Sequence, residues 1–263
     1  MSRRVVIRNK EEIAKAREAG RLAADVLEMI APYVQAGVST EELDARCNQY
    51  ITQVQKTIPA NVGYHGFTKT VCSSVNEVVC HGIPSPKVVL KDGDIINIDV
   101  AIIKDGWYGD TSRMYFVGTP AAEAKKLVET TYEAMCAGIR AVRPDATLGD
   151  IGHAIQTVAH RDGFSVVREY CGHGIGTTYH DDPQILHYGN PGQGMRLKPG
   201  MIFTIEPMIN AGKPGVKTLA DGWTVITRDA SLSAQWEHMV AVTDDGFDVL
   251  TRWPDGTGHY GAI

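Results

Sequence analysis

The sequence lacks the features that mark membrane, secreted and nucleic-acid-binding proteins. It has no apolar run approaching the roughly 18 residues that a membrane span needs. Its N-terminal stretch is basic, but no apolar segment follows it as one does in a signal peptide. Lysine and arginine (26 residues) are outnumbered by aspartate and glutamate (31 residues), and the net charge of −5 does not favour nucleic acid or an anionic membrane. We therefore expect a cytoplasmic protein that binds neither.

Cysteines are few, and no two of them form a Cys-x-x-Cys pair. An odd total of five disfavours a disulfide framework and a thiolate zinc site, so reduced thiols are expected. The remaining composition is ordinary for a globular protein, with 43% hydrophobic and 22% charged residues. The chain has 263 residues, enough for one large domain or two ordinary ones.

The chain repeats a helix-start pattern at two distant places. Ser39 is followed three residues later by Glu42, and Thr147 is followed three residues later by Asp150. A hydroxyl residue followed by an acid at this spacing, just ahead of apolar positions at helical intervals, is typical of a capped helix N-terminus. The pattern predicts a helix start in each half of the chain.

A second pair of similar segments carries carboxylates at matching positions. "KDGDIINID" at 91–99 resembles "KPGMIFTIE" at 198–206, which aligns Asp99 with Glu206. Any one of these matches could arise by chance, but their shared order along the chain is harder to attribute to chance. The order indicates an internal repeat.

Each half reads as helix, helix, glycine-rich loop, strand, turn and strand. We therefore predict an α+β fold of two halves, about 10–118 and 119–252, related by a pseudo-twofold axis. Their strands are expected to form a curved antiparallel sheet with helices on one face. No linker interrupts the sequence, so 1–263 is interpreted as a single catalytic domain with its binding cleft where the halves meet.

A predicted hairpin places two acids on one face of the sheet. Asp105-Gly106 is a strong signal for a two-residue turn between apolar strands. The resulting register puts Asp99 opposite Ser112, and side-chain alternation puts Asp110 on the same face as Ser112. The two carboxylates then lie diagonally, with Cα atoms roughly 7–8 Å apart, a spacing that suits two ligands of one cation. A three-residue turn would send them to opposite faces.

Three more residues that can bind metals lie in similarly apolar surroundings. Glu206 closes one apolar strand, Glu237 precedes another, and His173 stands between glycines. A lone strand aspartate is often only a turn or edge residue, and His173 alone could be an ordinary loop histidine. The complete set of four carboxylates and one imidazole suits manganese, iron or cobalt better than a structural zinc site. Four negative charges balance two divalent ions, which together would activate a shared water.

These residues lie in motifs that resemble a known family. "NIDV…GDTSRMY", "YCGHGIG", "FTIEP" and "QWEH" closely resemble the motifs of type I methionine aminopeptidases, which have the pita-bread fold. The resemblance runs from about residue 8 to residue 252. It implies removal of the initiator methionine from nascent polypeptides when the next residue is small, by hydrolysis with a metal-bridging water or hydroxide. It also implies a dinuclear site (cobalt, manganese or iron) with five ligands: Asp99, Asp110, His173, Glu206 and Glu237.

The resemblance also assigns roles to side chains around the metals. It implies that His81 bonds the substrate peptide, that His180 contacts the scissile carbonyl, and that Glu206 passes a proton to the leaving amine. From the residues alone, surface or packing roles for both histidines stay open. The implied methionine pocket consists of Tyr64, Phe67, Cys72, Tyr179 and Trp223. A weaker implication is a monovalent-cation site at Asn76, Val78 and Ser233.

Some positions depart from the family pattern. Asn61 stands where bacterial relatives often carry a cysteine in the pocket wall. Glu206 and Glu237 are 31 positions apart, which leaves no room for the helical insertion of type II enzymes. The zinc-finger extension of eukaryotic type I forms is also missing, so a bacterial-style short form is expected, acting as a monomer, with ribosome association left open.

Three alternatives to this function remain at the level of sequence. The first is a related peptidase that cleaves before proline, although those relatives usually carry a large extra N-terminal domain. The second is a non-catalytic binding module that has lost its metal, but here all five ligand positions are filled. The third is a purely structural metal site, which would not explain two accessible loop histidines beside a pocket.

Overall fold

The structure, a computed structural model, describes residues 5–253. Within that range the chain forms four α-helices, 15 short strands, two 3₁₀ turns (Ala31–Tyr33 and Tyr64–Gly66) and one π-helical turn (Tyr50–Val54). The helices are α1 (Lys10–Ile30), α2 (Thr40–Gln49), α3 (Ala122–Arg140) and α4 (Leu148–Arg161). The first-half strands are β1 (Ile58–Pro59), β2 (Val71–Val75), β3 (Val78–Cys80), β4 (Ile95–Lys104) and β5 (Trp107–Phe116). The second-half strands are β6 (Ser165–Val166), β7 (Gly172–Gly174), β8 (Asp181–Ile185), β9 (Ile202–Ile205), β10 (Met208–Asn210), β11 (Val216–Thr218), β12 (Val225–Thr227), β13 (Ser233–Gln235), β14 (His238–Val242) and β15 (Phe247–Val249).

Helices α2 and α4 begin in the same way, as their sequences predict. In α2 the Ser39 side chain accepts a bond from the N–H of Glu42, whose carboxylate accepts one from the N–H of Ser39. In α4 Thr147 and Asp150 form the same reciprocal pair. Both predicted helix starts are therefore confirmed. Each cap residue also makes a single β-bridge to a later segment, Ser39 to Val89 and Thr147 to Arg196.

The hairpin of β4 and β5 has the predicted register. Asp105 and Gly106 form its two-residue turn, both with positive φ (50° and 80°), as a type I′ turn requires. Asp99 lies opposite Ser112, and Asp110 lies two residues before Ser112 on the same face. The turn chemistry thus places two carboxylates together on one side of the sheet.

The antiparallel strands divide into four hydrogen-bonded sheets instead of one continuous sheet. In the first half, β4 pairs with β1, β2 and β5. The largest sheet of the second half has five strands, with β9 at its centre between β14 and β7. The second-half ladders are interrupted at the predicted ligands, because Glu206 and Pro207 separate β9 from β10, and Glu237 lies between β13 and β14. Proline has no N–H with which to continue a ladder. A backbone bond from the Glu237 N–H to the Ser112 carbonyl (3.2 Å) joins the second half to β5.

Helices pack against the strands of their own half. One buried cluster joins α1 and α2 to β4 and β5, and another joins α3 and α4 to β9 and β14. Helix α1 lies directly on β5, because a side-chain carbon at Gly109 would come within 2.2 Å of the Ala19 carbonyl oxygen. The helices therefore cover one face of these strands.

Two further structural findings concern the cysteines and the length of the helices. All five cysteines are free thiols. Within residues 5–253, no helix has the combined length and apolarity to cross a bilayer.

Candidate metal centre and substrate pocket

One cavity of about 240 Å³ contains nearly all of the predicted site residues. Its lining comes from both halves of the chain, so the cleft expected between them is present. The five predicted ligands, both predicted histidines and the five predicted pocket residues all line it. The remaining lining residues are Asn61 and His65.

Three of the predicted ligands converge on a point. Ligand atoms of Asp110, His173 and Glu237 all lie within 4.8 Å of one another. His173 Nε2 lies 3.5 Å from an Asp110 oxygen and 3.6 Å from a Glu206 oxygen. His173 Nδ1 lies 3.1 Å from the Gly174 carbonyl and donates to it, which directs Nε2 at the carboxylates. A histidine that binds a metal usually has its other nitrogen engaged in this way.

The carboxylates are held where bare negative charge is costly. Burial raises the pKa of Asp99 and Glu237 well above the ordinary values, and neighbouring carboxylates raise them further. Burial alone would lower the pKa of His173, but Asp110 and Glu206 hold it above its usual range. The Asp99 Oδ1 atom is buried and has no hydrogen-bond partner among the described residues. These groups fit a cation, which would supply the missing partner and offset the repulsion.

Glu206 makes hydrogen bonds to three residues outside the set predicted from sequence. The Thr204 hydroxyl donates to Glu206 Oε1 (2.7 Å), and Gln235 Nε2 donates to Oε2 (3.3 Å). The Glu206 N–H donates to Nε2 of His187, which is fully buried. Burial raises the pKa of Glu206 to about 7, with His173 opposing and Asp110 adding to the shift. Of these residues, Thr204 could be predicted from sequence, because side chains alternate along a strand and Thr204 lies two positions before Glu206 on the same face.

The two predicted histidines stand beside the carboxylates. His180 Nδ1 lies 2.7 Å from the Tyr64 hydroxyl, and the His180 ring centre lies 4.1 Å from that of His173. The His180 side chain reaches solvent, but partial desolvation among these rings, helped by the charges of neighbouring histidines, lowers its pKa to about 3. His81 is half-buried, lies 6.1 Å from the Trp223 ring, and has a pKa lowered by burial. Both are neutral imidazoles at pH 7.

The loop that carries His180 is fastened to the start of the chain. Arg8 donates to the Thr177 hydroxyl (3.1 Å), and its guanidinium lies 4.9 Å above the Trp107 ring. The N–H of Tyr108 donates to the Gly176 carbonyl (2.8 Å), which ties the same loop to β5. These contacts fix the approach of the loop to the cavity.

The pocket wall is aromatic, with one buried thiol. The rings of Phe67 and Trp223 are 5.0 Å apart, and those of Tyr64 and Tyr179 are 4.8 Å apart. Burial raises the pKa of the Cys72 thiol well above its ordinary value, so it stays neutral. Such a wall suits an apolar side chain that contains sulfur.

Two of the residues predicted to hold a monovalent cation, Asn76 and Ser233, already make hydrogen bonds within the protein. The Asn76 carbonyl accepts a bond from the Ser233 N–H (2.9 Å), and Val78 begins β3 two residues after Asn76. The Asn76 amide bonds Asp94 and Ile95, and the Ser233 hydroxyl lies 2.8 Å from an oxygen of Asn210. Asn76 and Ser233 are therefore neighbours, and the cation itself remains a prediction.

Comparison with known proteins gives one consistent family. Residues 14–244 match the description of metallopeptidase family M24. The chain is 56% identical to a methionine aminopeptidase of Escherichia coli K12 over 253 residues, or 96% of each chain. It is 58% identical to one of Haemophilus influenzae over 248 residues, covering 94% of this chain and 92% of that one.

Solved structures agree with the fold predicted from the motifs. A Rickettsia prowazekii methionine aminopeptidase superposes with a TM-score of 0.93 at 53% identity, covering 95% of this chain and 100% of that one. A prolidase from Pyrococcus furiosus superposes with a TM-score of 0.74 at 22% identity, covering 94% of this chain and 65% of that one, a likeness of fold alone. The pita-bread prediction is confirmed. On the agreement of the family match, the identities and the fold, the chain belongs to metallopeptidase family M24.

Proposed function

We propose that this chain removes the N-terminal methionine from polypeptides whose second residue is small, by metal-dependent hydrolysis. The observation that carries the proposal is the single cavity in which five potential ligands adjoin an aromatic pocket. The names of the similar bacterial proteins support the same reaction. Nascent polypeptides in the cytoplasm are the proposed substrates. We further propose that 1–263 acts as one domain and as a monomer.

The proposed metal centre consists of Asp99, Asp110, His173, Glu206 and Glu237. Two divalent ions would neutralise its four carboxylates, and oxygen and imidazole donors suit manganese, iron or cobalt. When bound, such ions lower the pKa of a water molecule and polarise a carbonyl group. The proposed monovalent-cation site is the separate group at Asn76, Val78 and Ser233.

The side chains around that centre have distinct proposed tasks. His180 Nδ1 contacts the Tyr64 hydroxyl (2.7 Å). In the proposed arrangement that hydroxyl is the donor, so the His180 Nε2–H donates to the scissile carbonyl oxygen. Neutral His81 is placed to bond the substrate peptide. Glu206, beside the proposed ions, is placed to accept a proton and pass it to the leaving amine. Thr204 and Gln235 hold that carboxylate in place.

The decisive experiment compares peptides and metals. Metal-loaded protein should hydrolyse Met-Ala-Ser and leave Xaa-Pro peptides uncut, and chelation should abolish the activity. His173→Ala and Glu206→Gln should each lower kcat/KM by at least about a thousandfold, because each removes a ligand of the reacting centre. His160→Ala, at an exposed position near the end of α4, is the matched control and should retain activity. Preferred cleavage of Xaa-Pro peptides, or full activity of either site variant, would contradict the proposal.

A further inference from the structure

Asn61 is a buried amide in the wall of the substrate pocket, and its hydrogen bonds are incomplete. The residue is 6% exposed and lines the cavity beside Tyr64 and Cys72. Its Nδ2 donates to the Thr70 carbonyl (3.0 Å), and its Oδ1 accepts from the Tyr179 hydroxyl (2.6 Å). These two bonds orient the plane of the Asn61 amide.

The partners also settle which end of the amide is which. A backbone carbonyl only accepts, so the group facing Thr70 must be the Asn61 NH₂ and the group facing Tyr179 must be its oxygen. The Tyr179 hydroxyl therefore donates its hydrogen to the Asn61 oxygen. An exchange of the two amide ends would leave the Thr70 carbonyl facing an oxygen atom, which is unfavourable.

One donor of Asn61 is left over. A carboxamide nitrogen carries two N–H groups, and one of them bonds Thr70. Within residues 5–253, Asn61 Nδ2 makes no hydrogen bond besides the one to the Thr70 carbonyl. Leaving a buried donor unpaired is costly, so an acceptor supplied by whatever fills the cavity would be favoured.

The side chain of methionine carries one weak acceptor, its thioether sulfur. We propose that Asn61 is a specificity-determining residue, whose free N–H donates to the sulfur of the substrate side chain and so selects methionine over an isosteric hydrocarbon chain. This inference rests on the proposed function and adds the group that distinguishes its substrate. A site built to bond a polar atom rejects the analogue that lacks it, because the buried donor is then stranded.

The test compares Met-Ala-Ser with norleucyl-Ala-Ser, which replaces the sulfur by a methylene group. Metal-loaded wild-type protein should prefer methionine in kcat/KM by about tenfold, the effect of stranding one buried donor. Asn61→Leu, of similar size and without the donor, should reduce that preference to about twofold or less. Asn48→Leu is the matched control, since Asn48 donates to the Thr70 hydroxyl (2.8 Å) but does not line the cavity. It should keep the wild-type preference.

A binding measurement on the unaltered chain guards against a misfolded variant. Calorimetry of wild-type, metal-loaded protein should show L-methionine bound about tenfold more tightly than L-norleucine. The Asn61 side-chain amide proton should shift in NMR spectra with methionine and not with norleucine. Equal kcat/KM values or equal affinities would overturn the role of Asn61 while leaving the proposed reaction intact. Failure to cleave either peptide would contradict the proposed function, and the binding measurement would still decide the role of Asn61.

Discussion

At Thr204 a single buried hydroxyl connects two members of the candidate metal centre. It accepts a bond from the backbone N–H of His173 (3.0 Å) and donates to Glu206 Oε1 (2.7 Å). Thr204 itself is completely buried. The orientation of the Glu206 carboxylate therefore depends on a group that does not line the cavity.

Replacing this hydroxyl should impair catalysis without unfolding the protein. We expect Thr204→Val, which keeps the shape of the side chain, to lower kcat by about 10- to 100-fold, the usual effect of losing a group that orients a ligand. KM for Met-Ala-Ser should change less than kcat, and bound metal measured by atomic emission should fall. Thr204→Ser restores the hydroxyl and should recover most of the activity. Equal losses in the two variants would indicate a packing role instead.

The sequence predicts which residues lie on the face of the sheet that carries the candidate site. It does not predict most of the contacts among those residues. Each carboxylate of the proposed metal centre has a polar residue two positions away, which alternation places on the same face: Asn97 with Asp99, Ser112 with Asp110, Thr204 with Glu206, and Gln235 with Glu237. The hairpin register was predictable because the Asp105-Gly106 turn fixes it locally. The bond from the Glu206 N–H to His187 and that from Arg8 to Thr177 join residues far apart in the sequence, and no local periodicity predicts them.

At the scale of elements, the two matching helix caps offer a symmetric experiment. We expect Ser39→Ala and Thr147→Ala each to lower the free energy of unfolding by about 1 kcal/mol, because each removes one cap of a reciprocal pair. Denaturant unfolding of both variants and of the double variant measures the effects. The two sites have no shared partner in the structure, so the losses should add. A loss confined to one helix would show that the two starts are not energetically equivalent.

The joined strands explain why the site needs both halves. Asp99 and Asp110 come from the β4–β5 hairpin, whereas His173, Glu206 and Glu237 come from the second half. Besides the Glu237 backbone bond, the amide of Asn97 donates to the Gln235 carbonyl (2.8 Å), and the Thr111 hydroxyl donates to the Glu237 carbonyl (2.7 Å). Hydrogen bonds that join the two halves thus lie at or next to residues of the proposed metal centre.

For the whole molecule, bound metal should stabilise the fold more strongly as pH rises. Burial raises the folded-state pKa of Asp99, Glu206 and Glu237 above their unfolded values, to about 7 for Glu206. The metal-free folded state therefore holds more protons than the unfolded state, and its stability is present at low pH and lost as pH rises towards 7. Divalent ions relieve that loss and compete with protons for the same oxygens.

Thermal unfolding with and without metal tests this coupling. The difference in Tm between metal-loaded and metal-free protein should widen from about pH 5 to about pH 7.5. Asp99→Asn removes one buried charge, so it should raise the metal-free Tm near pH 7 while lowering the metal content. A difference in Tm that does not vary with pH would contradict the link between carboxylate repulsion and metal binding.

The contact of Arg8 with Thr177 has a practical consequence for handling the protein. The two residues are 169 positions apart, and Arg8 approaches the polypeptide bend that presents His180. Deleting the chain up to and including Arg8, or attaching a bulky fusion partner close to it, would remove or displace the hydrogen bond that holds the segment carrying His180. Turnover could then fall even though the helices and sheets remained intact.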